Sequence, residues 1–517
     1  MFGYHPKAIT LAVAKLAWRP GASLAGRLAE LKKHPNLLLA ADEYADKGSG
    51  GVARSFDLSY TQLPDAAKLV LRRISLAPVP AVSVEAAVAL ADLPDDVVTA
   101  SLRELTEESL IEEDGARESY QMHDLVRHYS RSLANRDDPM EGEAAVSRLL
   151  AYYCEATAYA DTLFTRQPPP RAIEPPVPSV SHHFADRPSV IKWVRAELPN
   201  LLACADYVVQ QSEGNDWREE NSWVVLFSCA LSGILRNEGQ WRRSIEFQAQ
   251  AIGSAEKIHV PLAVANALSE RGLLYRLTAD LELAVADLER AISIYRGVGG
   301  TAGQTGEAHA LNTYGVVLDQ LRKRDEGRQR LNEALYLHRK VGDPLGEANV
   351  LHDLGMAEFF AGNHDLAVGL LRQGLEAYQA VDHPLGMAHA HTSLARAEAQ
   401  TGAQSAAAGN LEAARGLYRD LGNRLGEINV MVRLGAVLRQ QDGGRAVAVL
   451  HEALALSTEI GNQLARINAL DELGEVHAAK RDKKAAADAW SRALAVAREH
   501  GVEREVEKLA AKIERVR

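Results

Sequence analysis

Cysteine is scarce: Cys154, Cys204 and Cys229 are far apart and show no paired spacing. Neither a disulfide framework nor a four-thiolate zinc site can be built from them, and a reducing, cytoplasmic setting is expected. Long apolar runs are missing too. No stretch of about eighteen uncharged apolar residues occurs, and Met1-Phe2-Gly3-Tyr4-His5-Pro6 lacks the basic-then-apolar order of a signal peptide, so no membrane span or anchor is expected. Positive charge is in deficit, 58 Lys and Arg against 69 Asp and Glu, for a net charge of -11. Such a field repels phosphate backbones, and direct nucleic-acid binding is not expected. Catalytic spacings are absent as well: the sequence contains no G-x-x-x-x-G-K-[ST], H-E-x-x-H, G-x-S-x-G or C-x-x-C. Gly297-Val298-Gly299-Gly300-Thr301-Ala302 fits a relaxed dinucleotide fingerprint, but it follows a helical segment rather than a strand and reads as a connecting loop. His182-His183 has no second ligand cluster, so the chain reads as non-enzymatic, with no metal.

What is present is repetition. The 517 residues, 47% of them hydrophobic, can bury several cores. In the second half the turns Gly342-Asp343-Pro344-Leu345-Gly346, Asp382-His383-Pro384-Leu385-Gly386, Gly422-Asn423-Arg424-Leu425-Gly426 and Gly461-Asn462-Gln463-Leu464-Ala465 recur at steps of 40, 40 and 39 residues. Each reads as a glycine C-cap followed by an Asp or Asn N-cap, sometimes with proline at the first helical position. Small residues recur in the first helix of each unit at Gly272, Gly315, Gly355, Ala395, Gly435 and Gly474. Small pairs such as Ala284/Ala291, Ala407/Ala414 and Ala486/Ala493 mark the second helices.

This grammar, with Tyr295, Tyr378 and Tyr418 nearby, resembles the tetratricopeptide repeat. The expected fold is all-α: a winged-helix domain followed by a right-handed tetratricopeptide-repeat α-solenoid of about seven repeats, whose units must stack to bury their apolar faces. Five regions are expected: 1–50, a helical remnant; 51–138, a winged helix made of helices near Leu63 to Ile74, Val82 to Leu90 and Asp95 to Leu110 and closed by a hairpin at Asp114-Gly115; 139–215, a connector containing Pro168-Pro169-Pro170 and Pro175-Pro176; 216–500, the solenoid; and 501–517, a capping helix.

Gly3-Tyr4-His5-Pro6-Lys7 near the start, Met122-His123-Asp124 after the hairpin, and Phe184-Ala185-Asp186 with Glu197-Leu198-Pro199-Asn200-Leu201 in the connector resemble the C-terminal part of the NB-ARC switch of STAND signalling ATPases. Among these, actinobacterial antibiotic-regulatory proteins with tetratricopeptide repeats look most similar. The resemblance implies that His123 would reach the β-phosphate of ADP and that Pro6 would lie near its base and sugar. Lys7 departs from the family's usual leucine, and with no phosphate loop in the chain neither ATP hydrolysis nor a bound cofactor is expected of it alone. His123 is then expected to cap or pack the wing.

The groove of the solenoid is the candidate working surface, taking a protein or peptide ligand. One polar column runs through Asn266, His309, Asn349, His389, Asn429 and Asn468, and a second, three residues on, through Asn312, His352 and Thr392. Asparagine amides can donate to and accept from a ligand's main chain. The competing reading has the same residues bonding neighbouring helix ends. A non-catalytic regulatory or scaffold protein follows. The alternatives are a DNA-binding transcriptional regulator acting through the winged helix, and an ADP/ATP switch whose phosphate loop comes from another chain or from further sequence. The oligomeric state is not legible.

Overall fold

A computed structural model describes residues 60–115, 118–137, 139–161, 169–174, 187–213 and 218–516, with the single positions 176 and 184. The expected remnant over 1–50, including Pro6, lies outside the described residues, as do His182-His183.

The first domain runs α1 (Asp65–Leu76), β1 (Ala81–Ser83), α2 (Val84–Ala91), α3 (Asp95–Glu107), β2 (Glu112–Asp114), β3 (Ser119–Gln121) and α4 (Asp124–Asp137). Its three antiparallel strands take the order β1-β3-β2, with Val82 opposite Tyr120 and Glu113 also opposite Tyr120. The expected helix from Val82 is corrected here. Ala81–Ser83 joins the sheet, and Ser83 Oγ accepts the Ala86 amide at 3.3 Å, which starts the helix two residues later, at Val84. Arg127 donates to the carbonyl of Ala77 at 2.9 Å, tying α4 to the loop before β1.

Two connector helices follow, α5 (Pro139–Asp161) and α6 (Arg187–Ser212). Helix α5 is buried on several sides, with Tyr152 and Tyr153 fully enclosed. Arg148 on its surface donates to the last carbonyls of α2, Ala89 at 3.1 Å and Leu90 at 3.0 Å. On the other side Tyr153 Oη donates to Glu197 Oε2 at 2.8 Å, and Asn200 donates to the same oxygen at 2.6 Å. Burial pushes the Glu197 carboxyl above its ordinary range. The Glu197-Leu198-Pro199-Asn200 motif thus forms a buried clasp between α6 and α5. One hydrophobic core extends from Leu63, just before α1, through α5 to Leu354 in the solenoid, so the winged helix is welded to the repeats rather than tethered.

Seven helix pairs make the solenoid: α7 (Arg218–Asn237) with α8 (Trp241–Lys257), α9 (Pro261–Thr278) with α10 (Leu281–Val298), α11 (Gly300–Gln320) with α12 (Arg324–Val341), α13 (Pro344–Ala361) with α14 (His364–Ala380), α15 (Pro384–Gln400) with α16 (Gln404–Asp420), α17 (Arg424–Leu438) with α18 (Gly443–Glu459), and α19 (Gln463–Ala479) with α20 (Lys483–Glu499). Helix α21 (Glu503–Val516) covers the end, burying Leu509 and Ile513. The Gly297–Ala302 stretch joins α10 to α11, with positive φ at Gly299 and Gly300.

The small residue of each first helix has a packing cause. A Cβ at Gly272, Gly315 or Gly355 would stand 2.7 Å from Cγ of Leu288, Leu331 or Leu371 on the second helix of the same pair. The turns cap as expected at Asp343, Asn423 and Asn462, whose carboxylate or amide oxygens accept the amide of the third residue on at 2.8 to 2.9 Å. One turn departs from the glycine rule: Asp382 takes the left-handed conformation (φ 48°), and His383 Nδ1 is the cap acceptor for Gly386 at 3.0 Å.

At Gly386 an added Cβ would lie 2.3 Å from the Tyr378 ring, whereas exposed Gly409 in the middle of α16 faces nothing within 4 Å. Gly386→Ala should therefore cost about 1–3 kcal/mol by overpacking, while Gly409→Ala should gain up to about 1 kcal/mol by helix propensity; urea titration of both variants checks the opposite signs.

The cap rests on charge. Lys512 pairs with Asp471 at 2.6 Å and Glu475 at 2.7 Å, Lys508 pairs with Asp471 at 3.0 Å, and Arg439 pairs with Glu472 at 3.3 Å. Burial nevertheless pushes Glu472 up to about 7. Its folded pKa exceeds the unfolded one, so the folded state holds the extra proton between roughly pH 4.5 and 7. The corresponding stability is present at the acid end of that window and fades as pH rises through it. Glu472→Gln should flatten this fall, measured as melting temperature against pH.

Candidate functional site

First helices of adjacent repeats pack directly on one another, α7 on α9, α9 on α11, α11 on α13, α13 on α15 and α17 on α19, while second helices reach mainly their sequence neighbours. Closer spacing on one side curves the stack, and the first helices line its inner face. Both polar columns stand on these helices.

The first column meets a partner 29 residues on, in the second helix of its own pair. Tyr295 Oη donates to Asn266 Oδ1 at 2.8 Å, and Tyr378 Oη donates to Asn349 Oδ1 at 2.6 Å. His389 lies beside the Tyr418 ring with centroids 5.9 Å apart, and His309 beside His338 at 5.3 Å. The aromatic ring slots over a glycine near the start of the next first helix, as at Gly306, Gly386 and Gly426. Burial raises the Tyr295 phenol pKa and lowers that of the His309 imidazole, so both stay neutral near pH 7. At Asn429 and Asn468 the residues 29 further on are Thr458 and Ala497, with no ring to offer. Neither asparagine has a side-chain hydrogen bond among the described residues; Asn429 is exposed and Asn468 half-buried.

The second column joins or stiffens first helices. Asn312 donates to Asp353 at 3.0 Å, linking α11 to α13. His352 bonds Ser393 at 2.9 Å, linking α13 to α15, and Thr392 donates back to the carbonyl of Ala388 at 2.8 Å. Asn349 and His352 are buried.

Asn266 differs again. Its Nδ2 donates to the main-chain carbonyl of Pro170 at 2.7 Å. The connector piece 169–174, irregular chain that bends at Ala172 and Ile173, lies against α7 and α9, over a cavity of ≈ 310 Å³ lined by Cys154, Ala172, Ile173, Cys229, Asn266 and Glu270. The sequence showed the asparagine and the prolines, 96 positions apart, without a signal that they meet.

The comparisons with known proteins agree with this architecture. Residues 63–135 match the winged helix-turn-helix domain family and residues 306–380 the tetratricopeptide repeat family. The chain is a winged-helix and tetratricopeptide-repeat protein. It is 30% identical over 376 residues to the regulatory protein AfsR of Streptomyces griseus and 29% identical over 378 residues to that of Streptomyces coelicolor, in each case over 71% of this chain and 36% of the relative. The chain thus spans about a third of the length of these curated relatives. A STAND protein with a tetratricopeptide-repeat sensor from Pyrococcus horikoshii is 17% identical, with a TM-score of 0.47 over 90% of this chain and 68% of that one.

In the winged-helix domain, His123 Nδ1 accepts the amide of Leu125 at 3.3 Å at the start of α4. The face of α3 that a DNA groove would meet carries Asp95, Asp96, Glu104, Glu107 and Glu108 against Arg103. The wing adds Glu112 and Glu113, both exposed. Phosphate contacts need cations at these places. A gel-shift with duplex DNA at low salt should show no retarded band, and a salt-sensitive band would overturn this reading of the face.

Proposed function

We propose that this chain is a non-catalytic regulatory protein whose repeat groove docks extended main chain of a protein or peptide partner. The observation that supports the reading is the Asn266 contact. The groove already holds one irregular, proline-bearing segment, the chain's own connector, by an amide donated to its backbone carbonyl at 2.7 Å. Polyproline-type chain forms no internal hydrogen bonds, so its carbonyls are free to accept such donors. Tyr295 fixes the amide's orientation by donating to its oxygen.

At the far end of the groove the same arrangement stands uncommitted. Leu425 and Asn429 lie one helical turn apart on α17, and Leu464 and Asn468 one turn apart on α19; both leucines are exposed. An apolar contact beside an amide, repeated in adjacent helices, suits an extended ligand with alternating side chains. The interior positions His309, Asn312, Asn349 and His352 serve cohesion in this reading, and binding falls to Asn266, Asn429 and Asn468. Similarity to the Streptomyces regulatory proteins supports placing the docking in a regulatory system.

A fluorescent peptide copying residues 168–178, Pro-Pro-Pro-Arg-Ala-Ile-Glu-Pro-Pro-Val-Pro, provides the test. It should bind the full chain saturably, and the Asn429→Ala/Asn468→Ala double variant should bind about thirtyfold more weakly with unchanged circular dichroism, as expected for two lost hydrogen bonds of about 1 kcal/mol each. No saturable binding, or affinity indifferent to the double variant, would remove the groove from the account.

A further inference from the structure

The third repeat breaks the pattern of its neighbours. Where the second and fourth repeats pair asparagine with tyrosine, this one has His309 on α11 and His338 in the last turn of α12. Beside them stands Asp343, the cap of α13. His338 Nδ1 lies 2.9 Å from Asp343 Oδ2, and His309 Nε2 lies 3.8 Å from the same oxygen. Nitrogen and oxygen donor atoms of all three side chains fall within 4.8 Å of one another.

At 3.8 Å His309 Nε2 is beyond hydrogen-bond reach of the carboxylate, and this buried atom has no hydrogen-bond partner among the described residues. An unsatisfied buried nitrogen normally costs stability. In the second and fourth repeats the corresponding amide oxygen is satisfied by the tyrosine hydroxyl. We infer that His309, His338 and Asp343 form a binding site for one divalent transition-metal ion of the zinc class, which staples the third repeat to the fourth.

The donor set and the spacing agree. Two imidazoles and a carboxylate are a common zinc set, with bonds of about 2.0–2.2 Å. Tetrahedral bonds of that length place ligand atoms about 3.3–3.5 Å apart. The observed 2.9 and 3.8 Å straddle that spacing, and with all three donor atoms within 4.8 Å of one another side-chain rotation can close the triangle. Asp343 is oriented from behind, because its Oδ1 accepts the Gly346 amide at 2.9 Å, the kind of outer contact that holds metal-bound carboxylates in place. The ligands come from α11, from α12 and from the turn leading into α13, so the ion would bridge two repeats. His309 and Asp343 keep 17% and 18% side-chain exposure, which leaves a path from solvent and room for a fourth ligand, water or a carboxylate.

The fold supplies its own control. His309→Asn with His338→Tyr copies the Asn349–Tyr378 pair, and Asp343→Asn copies the cap at Asn423, so both variants should fold. The untagged full chain, stripped with chelator, is titrated with Zn²⁺ against a chromophoric competitor, and Co²⁺ spectra report the geometry. The expected result is one equivalent bound at about micromolar affinity or tighter, with a visible four-coordinate Co²⁺ band and a rise in melting temperature. The double variant should lose the band, and Asp343→Asn should bind at least about tenfold more weakly. Binding only near millimolar zinc, or one equivalent retained in the double variant, would overturn the site.

Discussion

Five of the seven repeats close with a large side chain of the second helix standing directly over a glycine of the first. Leu288 on Gly272, Leu331 on Gly315, Leu371 on Gly355, Leu450 on Gly435 and Trp490 on Gly474 all leave no room for a Cβ. The contact fixes how near two helices come, and the pair then presents a constant surface to the next pair. A second interlock, an aromatic or imidazole ring over a glycine near the start of the following helix, sets how repeat joins repeat. Together they bring the first helices into mutual contact along one side, and from that the groove follows.

The same packing constrains what the polar columns can do. Once first helices touch, a polar side chain between them must find a partner inside the protein, and most do, as with Tyr378 and Asn349, Asn312 and Asp353, or His352 and Ser393. Such residues give the array register rather than a binding surface. Only where the ring partner is missing, at Asn429 and Asn468, or where the connector segment lies across the groove, at Asn266, do amides of the column meet main chain or solvent. The winged-helix domain, joined through α5 to a continuous core, shares that rigidity; its acidic third helix and wing suit it to a protein surface or a packing role better than to a duplex.

The 40-residue period, the recurring small residues and the Asp or Asn caps were enough to specify helix pairs and their approximate number, and three helical segments closed by the Asp114-Gly115 hairpin specified the winged helix before them, because these are local or periodic demands that backbone geometry writes into residue type. Details set by competition between neighbours were less legible. Ala81–Ser83 became a strand because β3 was there to receive it, and Asp382 took a left-handed conformation that the sequence rule had reserved for glycine. For the candidate site the columns themselves were visible, whereas the 29-residue offset to Tyr295 and Tyr378 becomes a signal only once the two helices are known to face each other.

The sequence by itself determined the repeating units and which side chains could be polar on their inner face. Only the tertiary structure decided which of those side chains are spent on holding the stack together, which one grips the connector at Pro170, and that His309, His338 and Asp343 converge. The reason is physical: a repeat's period fixes direction, whereas a contact between residues tens of positions apart depends on the angle at which packed helices cross, and that angle is set by the sum of all the side chains between them.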